Sequence, residues 1–572
     1  MALALPSNDA LAVQLELLAD LSEILGEDGF RIRAYRTAAA RVRETAISVA
    51  QLALQGQAKE LPGIGRTIEA KIVEAAEQGE IAALAKRRAE VPAEVASFLQ
   101  LPGVGPRTAA RIWRELGVTT TAELRAAAEQ GRLRELSGLG ATSEAKILAA
   151  LADRPVGTTP ARGLLGRGLP VVREVVAALA AHPAAVRVSE AGSIRRRRET
   201  FRDLDVIATA TDAAALIAFF VELPGVLQVV AHGDTKATVV TQQGLRLDLR
   251  VVPPDCFGSL LQHFTGSKEH NIALREEAVR RGLSVSEYGV AVAESGETRT
   301  FETEEELYAF LGYAFIPPEL RENAGELEAA RGGTLPALVE AGDLRGELHC
   351  HSTWSADGKD GIEDMARAAR RNGYRFLVVT DHSHYLRDGR LHAQWEEIAE
   401  VDRRLRPFRV LRGIEANIKA DGSLDVPDDD LAELDWVVAS LHTSFDRSPT
   451  ERVLAAIESP HVDCIGHLTG RRLSRPARAA GAPVDVERVV AAAAATGTAL
   501  EINAQPDRLD LRDVHARLAG EAGVLVPVTT DAHSVAALAY AELGVAQARR
   551  AWLTRDQVLN TRTWAQIARL RR

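Results

Sequence analysis

Cysteine is scarce in this 572-residue chain: Cys256, Cys350 and Cys464 lie far apart, with no CxxC pair. That excludes a disulfide framework and a zinc ribbon, and it fits a reducing cytosol. The 23 prolines, in a chain 46% hydrophobic and 26% charged, are too few for a disordered or collagen-like polypeptide. No run of eighteen apolar residues occurs, so no membrane span is expected. The opening MALALPSND is broken by Pro6 and Asp9 and is too short for a secretory leader. An excess of positive charge is also missing. Lys and Arg number 69 against 79 Asp and Glu, a net charge of −10. Residues 1–160, residues 161–320 and the remainder each carry more acid than base. Any nucleic-acid contact must therefore come from local geometry and not from a blanket of charge.

What is present is modular, and the length suggests roughly three to five domains. Residues 1–155 read as helices of Ala, Leu, Glu and Arg, broken by glycine-rich phrases. The Pro/Gly-rich stretch DRPVGTTPARGLLGRGLP follows as a linker. Residues 165–258 then mix a helical run with the strand-like RVSEAG, DLDVIAT, VLQVV, ATVVTQ and LRLDLRVV, an α+β pattern. Residues 259–322 continue that region, and 323–342 read as a second linker. From 343 to 572, short apolar runs alternate with helices, as in parallel βα units.

The glycine-rich phrases repeat. Leu61-Pro-Gly-Ile-Gly65, Leu101-Pro-Gly-Val-Gly105 and Leu136-Ser-Gly-Leu-Gly140 are each followed at one offset by Ala-Lys-Ile or Ala-Arg-Ile, which places Lys71, Arg111 and Lys146 in equivalent positions. The pairs Gly63 and Gly65, Gly103 and Gly105, and Gly138 and Gly140 permit a tight turn. The turn opens a helix whose free N–H groups can hold a phosphate oxygen. This matches the helix-hairpin-helix motif, which grips the DNA backbone without reading bases. A glycine packed between two helices explains one copy but not three.

In FRDLDVIAT, Asp203 and Asp205 stand two apart in a strand and share a face. In LRLDLRVV, leucines alternate with Arg246, Asp248 and Arg250, so Asp248 projects from a polar face. Three carboxylates on adjacent strands can hold two divalent cations roughly 3.5–4 Å apart. Oxygen ligands favour Mg²⁺ or Mn²⁺. Surface charges on an edge strand would give the same spacing.

Gly192-Ser-Ile-Arg-Arg196, just upstream of the aspartate pair, decides between these readings. GSxRR followed by DxD resembles the family X DNA polymerases, the DNA polymerase beta group. The resemblance implies that Asp203, Asp205 and Asp248 are catalytic metal ligands. It also implies that Gly192, Ser193 and Arg196 bind the nucleotide's phosphates, and that His263, Phe264, Gly266 and Asn271 pack against its sugar and base. SEYG and FIPPELREN look like the end of that family's thumb. Two departures stand out: His263 replaces a tyrosine, and Phe201-Arg202 replaces small residues before the first aspartate. The resemblance further implies a lyase in which Lys71 forms a Schiff base. Arg111 at the equivalent offset cannot form one, so the repeat explains Lys71 as a phosphate contact without catalysis.

In the last region apolar runs end repeatedly in His, Asp or Glu: GELHCH, FLVVTDH, VLRGIEA, WVVASLH, DCIGH, TALEIN and VLVPVTTDAH. Seven such units suggest a distorted βα barrel with ligands at the C-terminal strand ends. The candidates are His349, His351, Asp357, His382, Glu415, His442, His467, Asp531 and His533, enough for up to three Zn²⁺, Mn²⁺ or Fe²⁺ ions. Ten of the 14 histidines lie in this region. HxH, SADG, TDH, a lone Glu and DAH in this order resemble the PHP (polymerase and histidinol phosphatase) domain, with all nine ligand positions filled. His384 and Asn503 are candidates for orienting those ligands.

The expectation is a multidomain enzyme. It comprises an all-α helix-hairpin-helix region, an α+β nucleotidyltransferase palm with thumb, and a βα barrel of about seven strands. It would be a cytoplasmic, monomeric DNA repair polymerase that acts on gapped or primer-template DNA with deoxynucleoside triphosphates and touches no membrane. The barrel would supply a 3′→5′ exonuclease, with 3′-phosphatase or abasic endonuclease activity as extensions. The rival readings are a 3′-end repair nuclease with a weak polymerase, and a small-molecule phosphatase.

Overall fold

Why the chain starts as helices is visible at their ends. The helix Arg66–Gln78 begins after Gly65 and stops at Gly79, whose φ is +85°. The helix Pro106–Leu116 has Gly105 as its N-cap, proline in its first turn and Gly117 in the left-handed region after it, so glycine and proline sit where each is tolerated best. A computed structural model describes residues 5–571 of this chain, apart from 7, 45–48, 62, 93, 102–103, 137–138, 141–142, 145–146, 149–150, 152–161, 476–477 and 480. The chain forms two compact units. The first comprises Met1–Gly163, Val171–Ser189 and Arg202–Val252; the second comprises Leu164–Pro170, Glu190–Phe201 and Pro253–Arg572. Among the described residues no helix is long and apolar enough to cross a membrane.

In the first unit the N-terminal helices bury Leu11, Leu15, Leu18, Ile72, Phe98, Ile112 and Leu124 in one core. A mixed five-stranded sheet follows, made of β1 (Ala185–Ala191), β2 (Leu204–Ala210), β3 (Val226–His232), β4 (Lys236–Thr241) and β5 (Arg246–Val252), in the order β1-β2-β5-β4-β3. β2 and β5 run parallel. Along β5 the odd-numbered residues Leu247, Leu249 and Val251 are buried, while Arg246, Asp248 and Arg250 are not. That is the alternation expected of a sheet with one face on a core.

In the second unit, helices Phe257–Thr265, Lys268–Arg280 and Glu304–Phe310 and the hairpin β6 (Leu283–Ser286) with β7 (Gly289–Val292) surround Tyr308, Leu274 and Ile316. The barrel follows. Strands β8 (Gly346–Cys350), β9 (Phe376–Val379), β10 (Arg409–Asn417), β11 (Trp436–Ser440), β12 (Cys464–Gly466) and β13 (Ala499–Leu500) form a parallel ladder in chain order. The sixth run breaks at Glu501 and resumes as β14 (Ile502–Asn503), paired with β15 (Val528–Thr529). A parallel bridge between Cys350 and Ala532 then links the last run to the first. Phe376 and Val378 cluster with Leu348, Leu411, Trp436 and Val438, whereas Leu377 and Val379 join the separate core that the flanking helices share. Because side chains alternate along a strand, Glu415 shares the face of Leu411.

One expectation needs correcting. Residues 323–342 are not a free linker: Glu326–Gly332 is helical, Glu326 and Val339 are fully buried, and Val339 N–H donates to the Leu553 carbonyl at 3.0 Å. Glycines bound that helix, Gly325 before it and Gly333 after it, the latter adopting φ +65°.

Candidate active sites

The three hairpins share one turn. Ile64, Val104 and Leu139 are buried, and their N–H groups donate to the carbonyls of Leu61, Leu101 and Leu136 at 3.0, 3.2 and 3.0 Å. Gly63 needs its φ of +86°, and a Cβ there would come within 2.9 Å of the Thr37 Cγ2. Gly65 and Gly105 are the N-caps of the helices that follow, and the Gly140 carbonyl accepts the N–H groups of Ser143 and Glu144 in the same way. Gly103, Gly138 and Lys146 lie outside the described residues. Lys71 is half-buried on its helix, and Arg111 pairs with Glu115 one turn on, at 2.7 Å.

On the palm sheet, Asp205 and Asp248 are register partners across β2 and β5. Asp203 precedes Asp205 by two residues, and all three are half-buried. Asp248 accepts a hydrogen bond from the Thr238 hydroxyl on β4, and Arg246 lies 3.4 Å away. Like charges directly opposite on adjacent strands repel, so this oxygen-only donor set fits divalent cations that would offset the repulsion.

Gly192 takes φ +63° and opens the short helix Gly192–Arg195. Ser193 is half-buried there. Arg196 donates to the Thr265 carbonyl (2.7 Å) and to Glu322 Oε1 (2.9 Å). Asn271 Nδ2 donates to the His263 carbonyl at 2.8 Å, and His263 Nδ1 lies 2.9 Å from the Arg275 guanidinium. Phe264 packs beside the His263 ring. A Cβ on Gly266 would come within 2.5 Å of Asn271 Oδ1, so this turn is packed tightly.

The barrel brings the nine predicted ligands together. Glu415 is fully buried at the centre, with His382 Nδ1 at 2.6 Å, His467 Nε2 at 2.9 Å, His442 Nε2 at 3.2 Å, His349 Nε2 at 3.6 Å and His351 Nε2 at 3.7 Å from its oxygens. Asp531 stands 3.0 Å from His351 Nε2, while Asp357 lies 3.4 Å from His382 Nε2 and 3.2 Å from His533 Nε2. His467 and Asp531 adopt left-handed φ angles of +27° and +48°, the kind of backbone strain that collects at functional sites.

Metal fit can be judged from the atoms themselves. His349 Nε2, His351 Nδ1 and His467 Nδ1 are buried yet make no hydrogen bond, which is costly unless something else fills them. Three imidazoles are anchored through Nδ1: His349 by Glu501 (2.5 Å), His442 by Asn417 (2.5 Å) and His533 by the Asp531 carbonyl (2.8 Å). Each then presents Nε2 to the cluster, the usual preparation of a metal-binding histidine. His351, His382 and His533 form one ligand group, His349, His351 and Glu415 a second, and His382, Glu415 and His442 a third. Electrostatics agree. Against its burial, Glu415 is held well below the usual carboxylate range by His442, His382 and His349. Burial opposes charge on His382, but Glu415 and Asp357 push it up to about 10. Burial drives His351 down to about 3. Without metal, protons supply the positive charge this cluster is built around.

Asn503 orients Asp531, donating at 3.0 Å, and the exposed His384 packs, tilted, against Tyr385 and the ring of the ligand His382. Sequence reasoning missed Glu501, which holds His349 and also accepts the His467 backbone N–H (2.6 Å) and the Thr529 hydroxyl (2.5 Å). Its signal was a carboxylate in the middle of the apolar run TALEIN.

Comparison with known proteins follows the same divisions. Residues 6–81 match the helix-hairpin-helix domain, 95–153 the SAM-like helix-hairpin-helix tandem, 260–322 the DNA polymerase beta thumb and 347–505 the PHP domain. The chain is 39% identical over 560 residues, 96% of each protein, to the DNA polymerase/3′-5′ exonuclease PolX of Bacillus subtilis (strain 168). It is 31% identical over 235 residues to a probable phosphatase of Thermoanaerobacter sp. (strain X514), covering 38% of this chain and 89% of that one. A probable phosphatase of Caldicellulosiruptor bescii is 32% identical over 166 residues, 28% of this chain and 65% of the other.

Proposed function

Because this chain belongs to the PolX family of DNA polymerase/3′-5′ exonucleases, we propose that it fills short gaps in DNA and trims 3′ ends with two separate divalent-metal sites. The observation that carries this reading is the pair of cation-ready clusters, each inside its own compact unit: Asp203, Asp205 and Asp248 in the first, and the Glu415 cluster in the second.

In the palm, Asp203, Asp205 and Asp248 would hold two Mg²⁺ or Mn²⁺ ions. Such ions lower the pKa of an attacking hydroxyl and offset charge on departing pyrophosphate. The Gly192 turn, Ser193 and Arg196 would receive the triphosphate. His263, Phe264, Gly266 and Asn271 would bound the sugar and base. In the barrel, the nine ligands would hold up to three Zn²⁺, Mn²⁺ or Fe²⁺ ions, which supply hydroxide near neutral pH and shield charge developing on phosphorus. Glu501, Asn417 and Asn503 keep the imidazoles and Asp531 aimed. The three hairpins would hold the DNA backbone, with Lys71 as a phosphate contact, so binding should be sequence-tolerant and salt-sensitive. We place the enzyme in the cytoplasm as a monomer.

The likeness of the barrel to two probable phosphatases favours a second reading, in which it also removes a 3′-phosphate. The test is a gapped duplex incubated with Mn²⁺ and nucleotides. Asp205→Ala should lose extension and keep degradation, and His442→Ala should do the reverse. Loss of both activities in either variant contradicts the assignment.

A further inference from the structure

The segment that would meet the nucleotide's phosphates does not stand alone. Arg550, at the end of the barrel helix Ala541–Arg550, is buried. Its Nη1 donates to the Arg196 backbone carbonyl at 2.9 Å and to Glu322 Oε1 at 3.0 Å, and its Nη2 pairs with Asp513. Glu322 in turn takes the Arg196 side chain through Nε at 2.9 Å. Arg550 therefore grips Arg196 twice, directly at its backbone and through Glu322 at its guanidinium. The other end of the same segment is held by a second barrel arginine. Arg471 pairs with Glu199, and it also binds the carbonyls of Arg508 and Leu509. The loop carrying those carbonyls follows Asn503, which holds the metal ligand Asp531. Neighbouring Arg549 adds a pair to Glu319 at 2.8 Å. A buried guanidinium satisfied on several sides is stiff, and removing it leaves its partners uncompensated.

Resting on the polymerase reading above, we propose that Arg550 is a positioning residue for nucleotidyl transfer, through which the barrel holds Arg196 in place to receive the triphosphate. The barrel then has two uses: it houses the nuclease metals and it braces the nucleotide turn of the polymerase.

Single-nucleotide gap filling by the full chain tests this, with KM for the nucleotide and kcat measured separately. Exonuclease rate and melting temperature serve as controls. Arg550→Met should raise KM about tenfold while kcat and exonuclease rate stay within about twofold, and Arg550→Lys should recover part of the loss. An unchanged KM in a folded Arg550→Met protein overturns the proposal, as does a parallel loss of extension and exonuclease. Should Arg550→Met fail to fold, Asp513→Asn carries the test by loosening Arg550 from its other side. A KM rise of roughly threefold supports the proposal, and no rise overturns it. A wild-type protein that extends no primer would bring down the polymerase reading itself, which these variants do not affect.

Discussion

The palm offers three half-buried carboxylates, Asp205 and Asp248 on neighbouring strands and Asp203 in the bend just before the first, while the barrel gathers imidazoles and carboxylates from nearly every strand, with His349, His351, Glu415, His467 and Asp531 buried among them. An open, oxygen-only set binds hard cations loosely and relies on substrate phosphates to complete their shells. A buried, imidazole-rich set holds transition metals for long periods and is complete before any substrate arrives. The two sites should therefore differ in metal retention as well as in chemistry.

The strongest way to break that comparison is to delete one centre at a time. Glu415→Gln should lower 3′→5′ degradation by roughly a thousandfold or more and leave primer extension intact, since five histidines converge on this one side chain. Primer-extension and degradation rates measured on one preparation decide it; coupled losses would mean that the centres are not independent. Removal of Asn503, which orients Asp531, should act on retention alone. Asn503→Ala is expected to weaken barrel metal binding by about 10–100-fold in a competitive chelator titration.

Proton competition sharpens the contrast further. His382 keeps its proton up to about pH 10 in the metal-free cluster, because Glu415 and Asp357 outweigh its burial. Metal must displace that proton throughout the physiological range. Apparent affinity at the barrel should rise with pH, by about tenfold per unit for each proton displaced, and acid should strip the metal. Isothermal titration in two buffers of different ionisation enthalpy counts the protons released; a pH-independent affinity contradicts the assignment. The smallest expected effect lies furthest from chemistry. Gly63→Ala strains a φ of +86° and crowds Thr37, so gapped-DNA binding should weaken by only a few-fold, about 1 kcal/mol, as read by fluorescence anisotropy.

What could be read from the sequence was whatever is local. Asp248 declares its face by alternation with leucine, and the spacing of Asp203 and Asp205 suggested a shared strand face, although the strand begins only at Leu204, after Asp203. Eight of the nine barrel ligands stand at or near the ends of apolar runs, His349 with His351 and Asp531 with His533 sharing one each, so the cluster was legible without knowledge of strand pairing, whereas Asp357 comes from the SADG loop. Contacts between distant parts were not legible. Nothing near Arg196 announces that Arg550 and Glu322 will meet it, and nothing in 323–342 shows Val339 pairing with Leu553. Residues 323–342 read as a linker because composition reports local chain preference and says nothing of the distant surface a segment docks on. Glu501 fell between these cases: its position inside an apolar strand was visible, but its role depends on His349, a neighbour only after folding.

The central claim is that one polypeptide carries two metal centres, one on the palm carboxylates and one around Glu415. Anomalous scattering at the manganese edge, from crystals soaked in Mn²⁺ with gapped DNA and nucleotide, tests it most directly. The account predicts peaks between Asp205 and Asp248 and a cluster of stronger peaks bounded by Glu415, His351 and His382; ions bound elsewhere, with either place empty, would contradict it.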